Sequence, residues 1–283
     1  MSNVLIGFNN LANNCTLSGG SWVSTLPLNN LKDRKLYKIA RSTDDNLSST
    51  QFVVDFTISK VVKIFAVVQH NLSTTAKARL VASNDSGFGT LLYDSGFMSA
   101  WPITPSLEIY WEEDNWWFGI PTEEQIDMYK GITLWVVPSI TARYWRVEID
   151  DQSNASGYIE LGRLFVSKDF SPVINASYGL SFSVQDNSEI EQSYGGAEHY
   201  SEKTKYRSVD FSLDALNEDE AFASWYRMML SQGTTGEVLF VYDYSSVKYW
   251  LDRSFLGRIE RSNPLTTPYF ATWQPGATIK ETV

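Results

Sequence analysis

Arg143-Tyr-Trp-Arg-Val-Glu-Ile-Asp150 alternates along its whole length, with Trp145, Val147 and Ile149 on one side and Tyr144, Arg146, Glu148 and Asp150 on the other. Successive side chains of a strand point to opposite faces, so the stretch reads as a strand half in a core and half in water. That is the pattern of an antiparallel sheet. The same signal repeats on both sides. Residues 51–56 place Phe52, Val54 and Phe56 on one face, residues 61–68 form a mostly apolar run suited to a buried strand, and residues 76–82 follow a polar turn. Downstream, residues 158–166 alternate if Gly162 is a bulge that resets the register.

Residues 1–50 are rich in Asn, Ser, Leu and Gly and read as loops with short extended pieces. Residues 87–138 break the alternation and carry Trp101, Trp111, Trp116, Trp117 and Trp135, with Glu112, Glu113 and Asp114 among them. Near residues 169–175 Phe170-Ser-Pro-Val173 interrupts the strand pattern, which marks a boundary between domains 1–170 and 171–283. Beyond it, Val209, Phe211 and Leu213 alternate with polar residues. A single helix is expected at about 217–232. Asn217 is its N-cap, Glu218, Asp219 and Glu220 sit at the positive end of its dipole, Phe222, Trp225 and Met229 form its buried stripe, and Gly233 ends it. Residues 236–242, 247–251, 255–259 and 269–273 resume strand character. About a dozen strands and one helix predict an all-β chain of two β-sandwich domains, the second with one flanking helix.

Aromatic residues make up 14% of the chain, which together with the many Val, Ile and Thr favours strands over helices. The net charge of -10 repels phosphate backbones, and the basic residues form no run, so sequence-specific nucleic-acid binding is not expected. Cys15 stands alone, which excludes an intrachain disulfide. No secretory signal opens the sequence and no apolar stretch has the length of a membrane span, so assembly in a cytoplasm is the expectation.

Catalysis needs convergent reactive groups, and few are legible. The two histidines, His70 and His199, lie in no metal or triad spacing, and no Gly-rich phosphate loop or nucleophile elbow occurs. Glu112, Glu113, Asp114, Glu123 and Glu124 among tryptophans could line a sugar-cleaving groove, or could simply solubilise an aromatic excursion. The expectation is a protein that is not an enzyme and needs no cofactor or metal. For Trp101, Trp111, Trp116 and Trp117 three uses stay open: core filling, a protein interface, or stacking on a glycan.

Two parts of the chain resemble known families. Phe52-Val-Val-Asp-Phe56, Ala76-Lys-Ala-Arg-Leu-Val-Ala-Ser-Asn-Asp85, Ala142-Arg-Tyr-Trp-Arg-Val-Glu-Ile149 and Tyr158-Ile-Glu-Leu-Gly-Arg-Leu-Phe-Val166 resemble, in that order, the discoidin-type, galactose-binding-like jelly roll. The resemblance covers about residues 35–168, departs from the family in lacking its disulfide and in the long excursion at 87–138, and implies a binding module for glycans, lipids or proteins. The opening Met1-Ser-Asn-Val-Leu-Ile-Gly-Phe-Asn-Asn10 and the second half resemble phage tail proteins. In the second half the resemblance rests on Ser181-Phe-Ser-Val-Gln-Asp-Asn-Ser188, Gly195-Gly196, Tyr206-Arg-Ser-Val-Asp-Phe211, Phe255-Leu-Gly-Arg258 and the helix, as in tail-tube and distal-tail domains. It implies a structural component of a phage tail tip or baseplate in the virion. Such a component forms a homo-oligomeric ring through the second domain, with tube, hub and tape-measure proteins as partners. The first domain would touch neighbouring tail proteins or host-surface glycans. The alternative is a stand-alone carbohydrate-binding or adhesion protein.

Overall fold

The computed structural model describes residues 3–283, so Met1 and Ser2 of the quoted opening lie outside the described residues. The chain is all-β, and it forms two units that are not cut linearly. The first comprises Asn9–Asp169 and Asp243–Ser254; the second comprises Asn3–Phe8, Phe170–Tyr242 and Phe255–Val283. A core recruits any segment with an apolar face, and the short segments at residues 3–8 and 243–254 carry no sequence mark of which core they serve.

The first unit is a jelly-roll sandwich organised by two long antiparallel strands, Phe52–His70 and Ile132–Asp150, each of 19 residues. Each strand bends and serves both layers. Residues 52–55 pair with 144–147 and residues 60–68 with 132–142, with register slips between Asp55 and Lys60 and between Val62 and Ile64. One layer continues through Thr16–Ser18 and Lys77–Ser83, the other through Glu160–Phe170 and Ala40–Arg41. The bend holds Thr57 at a φ of 67°, costly for a β-branched residue, and its amide donates to Asp55 Oδ1 at 2.7 Å. The slips also change which parity faces the core: Phe52, Val54, Phe56 and Val62, then Phe65 and Val67. Two separate strands were therefore expected where one bent strand stands.

Gly162 is not a bulge. Val68 pairs with Arg163 and His70 with Leu161 in an unbroken ladder. Leu161 to Val166 are buried on both faces, and a strand buried on both sides loses its polar–apolar alternation. Glycine is needed there for space, because a Cβ would lie 2.9 Å from that of Gln69. Phe65 stacks on Trp145 (centroids 5.9 Å apart) and meets Trp135 edge-on in the centre of this core. The Cys15 thiol donates to the Ala12 carbonyl at 3.1 Å, and burial raises its pKa to about 11, so it stays a protonated, unreactive thiol.

Two buried polar side chains pin the loop-rich opening onto this sheet. Arg163, fully buried, donates from Nη1 to Leu31 O at 3.1 Å and from Nη2 to Asn13 Oδ1 at 2.5 Å. Asn10 donates to Leu164 O at 2.8 Å, and its Oδ1 accepts from Val166 N and Ala12 N, both at 3.0 Å.

The second unit is an antiparallel sheet in the order Ser181–Gln185, Tyr206–Ser212, Gly276–Glu281, Ser254–Ser262, Glu237–Val241, Leu5–Phe8. Its core gathers Val209, Phe211, Trp225, Phe240, Phe255 and Ile279. The flanking helix starts with a reciprocal cap, Glu220 N to Asn217 Oδ1 at 2.8 Å and Asn217 N to Glu220 Oε2 at 3.1 Å. Glu220–Tyr226 is wound as a π-helix and Arg227–Gln232 as an α-helix, and Gly233 (φ 54°) closes the end. The wider turn rotates the buried stripe to Ala221, Trp225 and Met228 in place of the expected Phe222, Trp225 and Met229. Phe222 packs edge-on against Trp273 instead, 4.7 Å away. Residues 247–251 are not a strand: Tyr249 is left-handed (φ 58°) and opens the short helix Trp250–Arg253.

Candidate functional site

The excursion of the first unit ends where strand Ile132–Asp150 begins, at residue 132 rather than the expected 138. It contains the short helix Glu123–Met128, which starts because Thr122 and Gln125 form a capping box. Residues 243–254 lie over the excursion as a strap. Leu251 enters the first core, the Tyr129 hydroxyl donates to the Asp252 carboxylate, and Lys248 Nζ donates to the Glu108 carbonyl. Lys248 Nζ also sits 5.7 Å from the ring centre of Tyr110 and 5.1 Å from that of Tyr249.

Between strap and excursion runs a groove with two adjoining lobes. The apolar lobe, about 330 Å³, is walled by aromatic side chains, Tyr93, Trp101, Trp135, Tyr244 and Trp250. The polar lobe, about 120 Å³, is lined by Glu113, Asn115, Gln125, Tyr129, Lys248 and Asp252. Pro102, Val247 and Trp250 line both. Two groups at the groove lack partners among the described residues: Asn115 Oδ1, a buried acceptor, and Trp135 Nε1, a buried donor. A buried polar atom without a partner is costly.

Of the four tryptophans singled out, only Trp101 reaches the groove. It is 2% exposed, its Nε1 donates to Leu72 O at 3.0 Å, and its ring meets His70 edge-on at 5.0 Å, so it serves the core and walls the groove together. Trp111 and Trp117 are 76% and 78% exposed and line neither lobe. Trp116, partly buried, packs edge-on against Trp117. Among the five carboxylates considered, Glu113 lines the polar lobe; Glu112, Asp114, Glu123 and Glu124 are exposed away from it. His70 is held by burial at a pKa of about 3, its Nε2 within 3.1 Å of Thr133 Oγ1, and a neutral imidazole facing the core lines neither lobe. His199 lies on the exposed strand Glu198–Ser201. Among the described residues no group of three or more His, Cys, Asp or Glu could hold a metal, and no helix is long and apolar enough to cross a membrane.

The strap is what sequence reasoning missed. Its residues lie more than a hundred positions from the excursion, and Val247 to Leu251 look apolar enough for a strand. The one visible sign was Asp243-Tyr-Ser-Ser246, a turn-forming run directly after a strand.

No family model matches the chain, and no curated protein does. Several solved structures do. The lectin domain of lectinolysin in complex with Lewis b antigen is 14% identical, with a TM-score of 0.37, covering 56% of this chain and 96% of that one. A carbohydrate-binding module, CBM32-1, from a family 31 glycoside hydrolase of Clostridium perfringens is 10% identical, with a TM-score of 0.38, covering 57% and 99%. A fucose-binding module of Streptococcus pneumoniae is 10% identical, with a TM-score of 0.38, covering 56% and 95%. All three are sugar-binding modules.

Proposed function

We propose that the chain is a non-catalytic carbohydrate-binding protein whose ligand occupies the groove beneath residues 243–254. The observation that carries this reading is the join of an aromatic-walled lobe to a polar one lined by Asn115, Gln125, Tyr129 and Lys248. A sugar ring has the same two characters: C–H faces that pack on aromatic rings, and hydroxyls that need fixed donors and acceptors. Among the described residues neither histidine lines the groove. Glycan-array screening of the full chain, followed by titration calorimetry on the best binder, tests the reading. Trp250→Ala is expected to weaken binding by about 10- to 100-fold, and Trp111→Ala to leave it within about 2-fold. An array with no binder, or a loss on Trp111→Ala equal to that on Trp250→Ala, overturns it.

A second reading is the multi-copy structural component of a phage tail tip that the sequence resemblance implies, in the virion with tube, hub and tape-measure proteins as partners; residues 181–205 of the second unit support its self-assembly alone. Strand Ser181–Gln185 is exposed at every residue and is an edge of its sheet. The hairpin Glu189–Gln192 with Glu198–Ser201 is likewise exposed throughout, yet carries Ile190 and Tyr200, with Tyr194 at its tip. A two-stranded hairpin is marginal alone, and an edge without charge or proline invites pairing, so a neighbouring copy is the natural cover. Light scattering of the purified chain is expected to give rings or discrete trimers to hexamers; a monomer at every accessible concentration counts against self-assembly.

A further inference from the structure

We infer that the outer face of the helix at residues 220–232 pairs with the same face of a second copy of the chain, the two helices crossing antiparallel at Ala223. The inference uses neither the groove of the first unit nor the edge strand Ser181–Gln185 of the second.

The π-wound turn Glu220–Tyr226 sends Phe222 to the surface instead of the core. There it meets Tyr226, 5.9 Å away between ring centres, and shares its side of the helix with Leu230, which is 71% exposed. The three line a shallow groove of about 480 Å³, with Ala223 among them. Apolar side chains gathered on one outer face of a helix mark a contact surface rather than a solvated one.

The charges along the groove say what covers it. Glu218 and Asp219 stand at its start and Arg227 further along it. Among the described residues none of these three side chains has an ion pair or a hydrogen bond. The third acid of the turn, Glu220, is by contrast committed, accepting from Val173 N at 2.7 Å and from Asn217 N at 3.1 Å. Asp219 and Arg227 lie four residues to either side of Ala223. A two-fold axis through Ala223 therefore sets Asp219 of each copy against the partner's Arg227, with Glu218 beside each pair. A parallel pair would set acid against acid and base against base. Ala223 offers only a methyl group at the crossing, so the axes can close to about 8–10 Å while Phe222 and Tyr226 flank the contact.

The net charge of -10 opposes self-association. At physiological ionic strength that repulsion is screened beyond about 8 Å, whereas the crossing brings opposite charges together. A stable pair needs about 800 Å² on each partner, more than one helix face provides. The hairpin Thr266–Tyr269 with Thr272–Gln274 extends the surface: its Trp273 packs on Phe222, and Tyr269 and Phe270 are exposed.

Sedimentation equilibrium of the full chain at about 0.15 M salt tests this with two substitutions at exposed positions, Arg227→Glu and Asp219→Arg. Each sets like charges together twice across the two-fold axis. Each is therefore expected to weaken pairing by about 10- to 100-fold and to halve the mass found for the parent, whether or not copies also join through the edge strand. An equimolar mixture of the two variants is expected to regain the parent's mass. In the mixed pair the introduced acid faces the introduced base, and the native Asp219 of one variant faces the native Arg227 of the other. Circular dichroism confirms that each variant is folded. A parent with the same mass as both variants overturns the inference, and so does a mixture that stays at the variants' mass.

Discussion

Replacing Arg163 with alanine is expected to destabilise the first unit by about 3–5 kcal/mol, a fall of about 10 °C in its melting temperature. Two effects oppose one another. Burying a guanidinium costs desolvation energy, which an apolar replacement recovers. Against that, Leu31 O and Asn13 Oδ1 lose their donors inside the protein, and the truncated side chain leaves a cavity in a site with no exposed surface. The second effect wins because the side chain joins three separated segments, the residue 13 turn, the residue 31 turn and the strand Glu160–Phe170. Arg163→Met separates the terms, since it fills the volume and supplies no donor; about 1–2 kcal/mol of loss is expected from it in urea unfolding. A Met variant as stable as the parent would mean that desolvation dominates and that Arg163 does not hold the opening loops.

Glu281→Ala is expected to cost the second unit about 3 kcal/mol. The Glu281 carboxylate accepts from Arg207 three times, from the backbone N at 3.0 Å, from Nε at 2.9 Å and from Nη2 at 2.5 Å. Both side chains are nearly enclosed, 13% and 9% exposed, and the guanidinium lies over Phe255 at 5.1 Å. Removing the acid leaves a positive charge in a place where water cannot replace the lost acceptor. The exposed pair Lys203–Glu189 is the control: solvent screens it, and Glu189→Ala is expected to leave the unfolding transition where it is. Calorimetric scans of both variants read the difference, and equal effects would refute the role given to enclosure.

The alternation of Trp145, Val147 and Ile149, and of Val209, Phe211 and Leu213, gave the sheets directly because each of those strands has one wet face. The strand Glu160–Phe170 hid its register because it has none. The helix start at Asn217 was legible because a cap is a local contact, made three residues apart; the π-turn that moves its buried stripe is not, because it answers to the core beneath. Of the groove, Trp101 and Glu113 could be named from the sequence, but not their use. Trp101 looked like its exposed neighbours Trp111 and Trp117, and only packing against His70 and Leu72 separates them.

The sequence by itself determined the all-β class, the strands that have one wet face and, through the single Cys15, the absence of an intrachain disulfide. Those depend on periodicity and composition, which act within a few residues. The tertiary structure decided that residues 243–254 close over the excursion, and with them came Lys248, Trp250 and Asp252 of the groove. A strap of that kind is selected by burial of Leu251 and by hydrogen bonds spanning over a hundred residues, 123 from Tyr129 to Asp252 and 140 from Glu108 to Lys248. No local pattern records such contacts, because the free energy that places the strap arises only once the first core has formed to receive it.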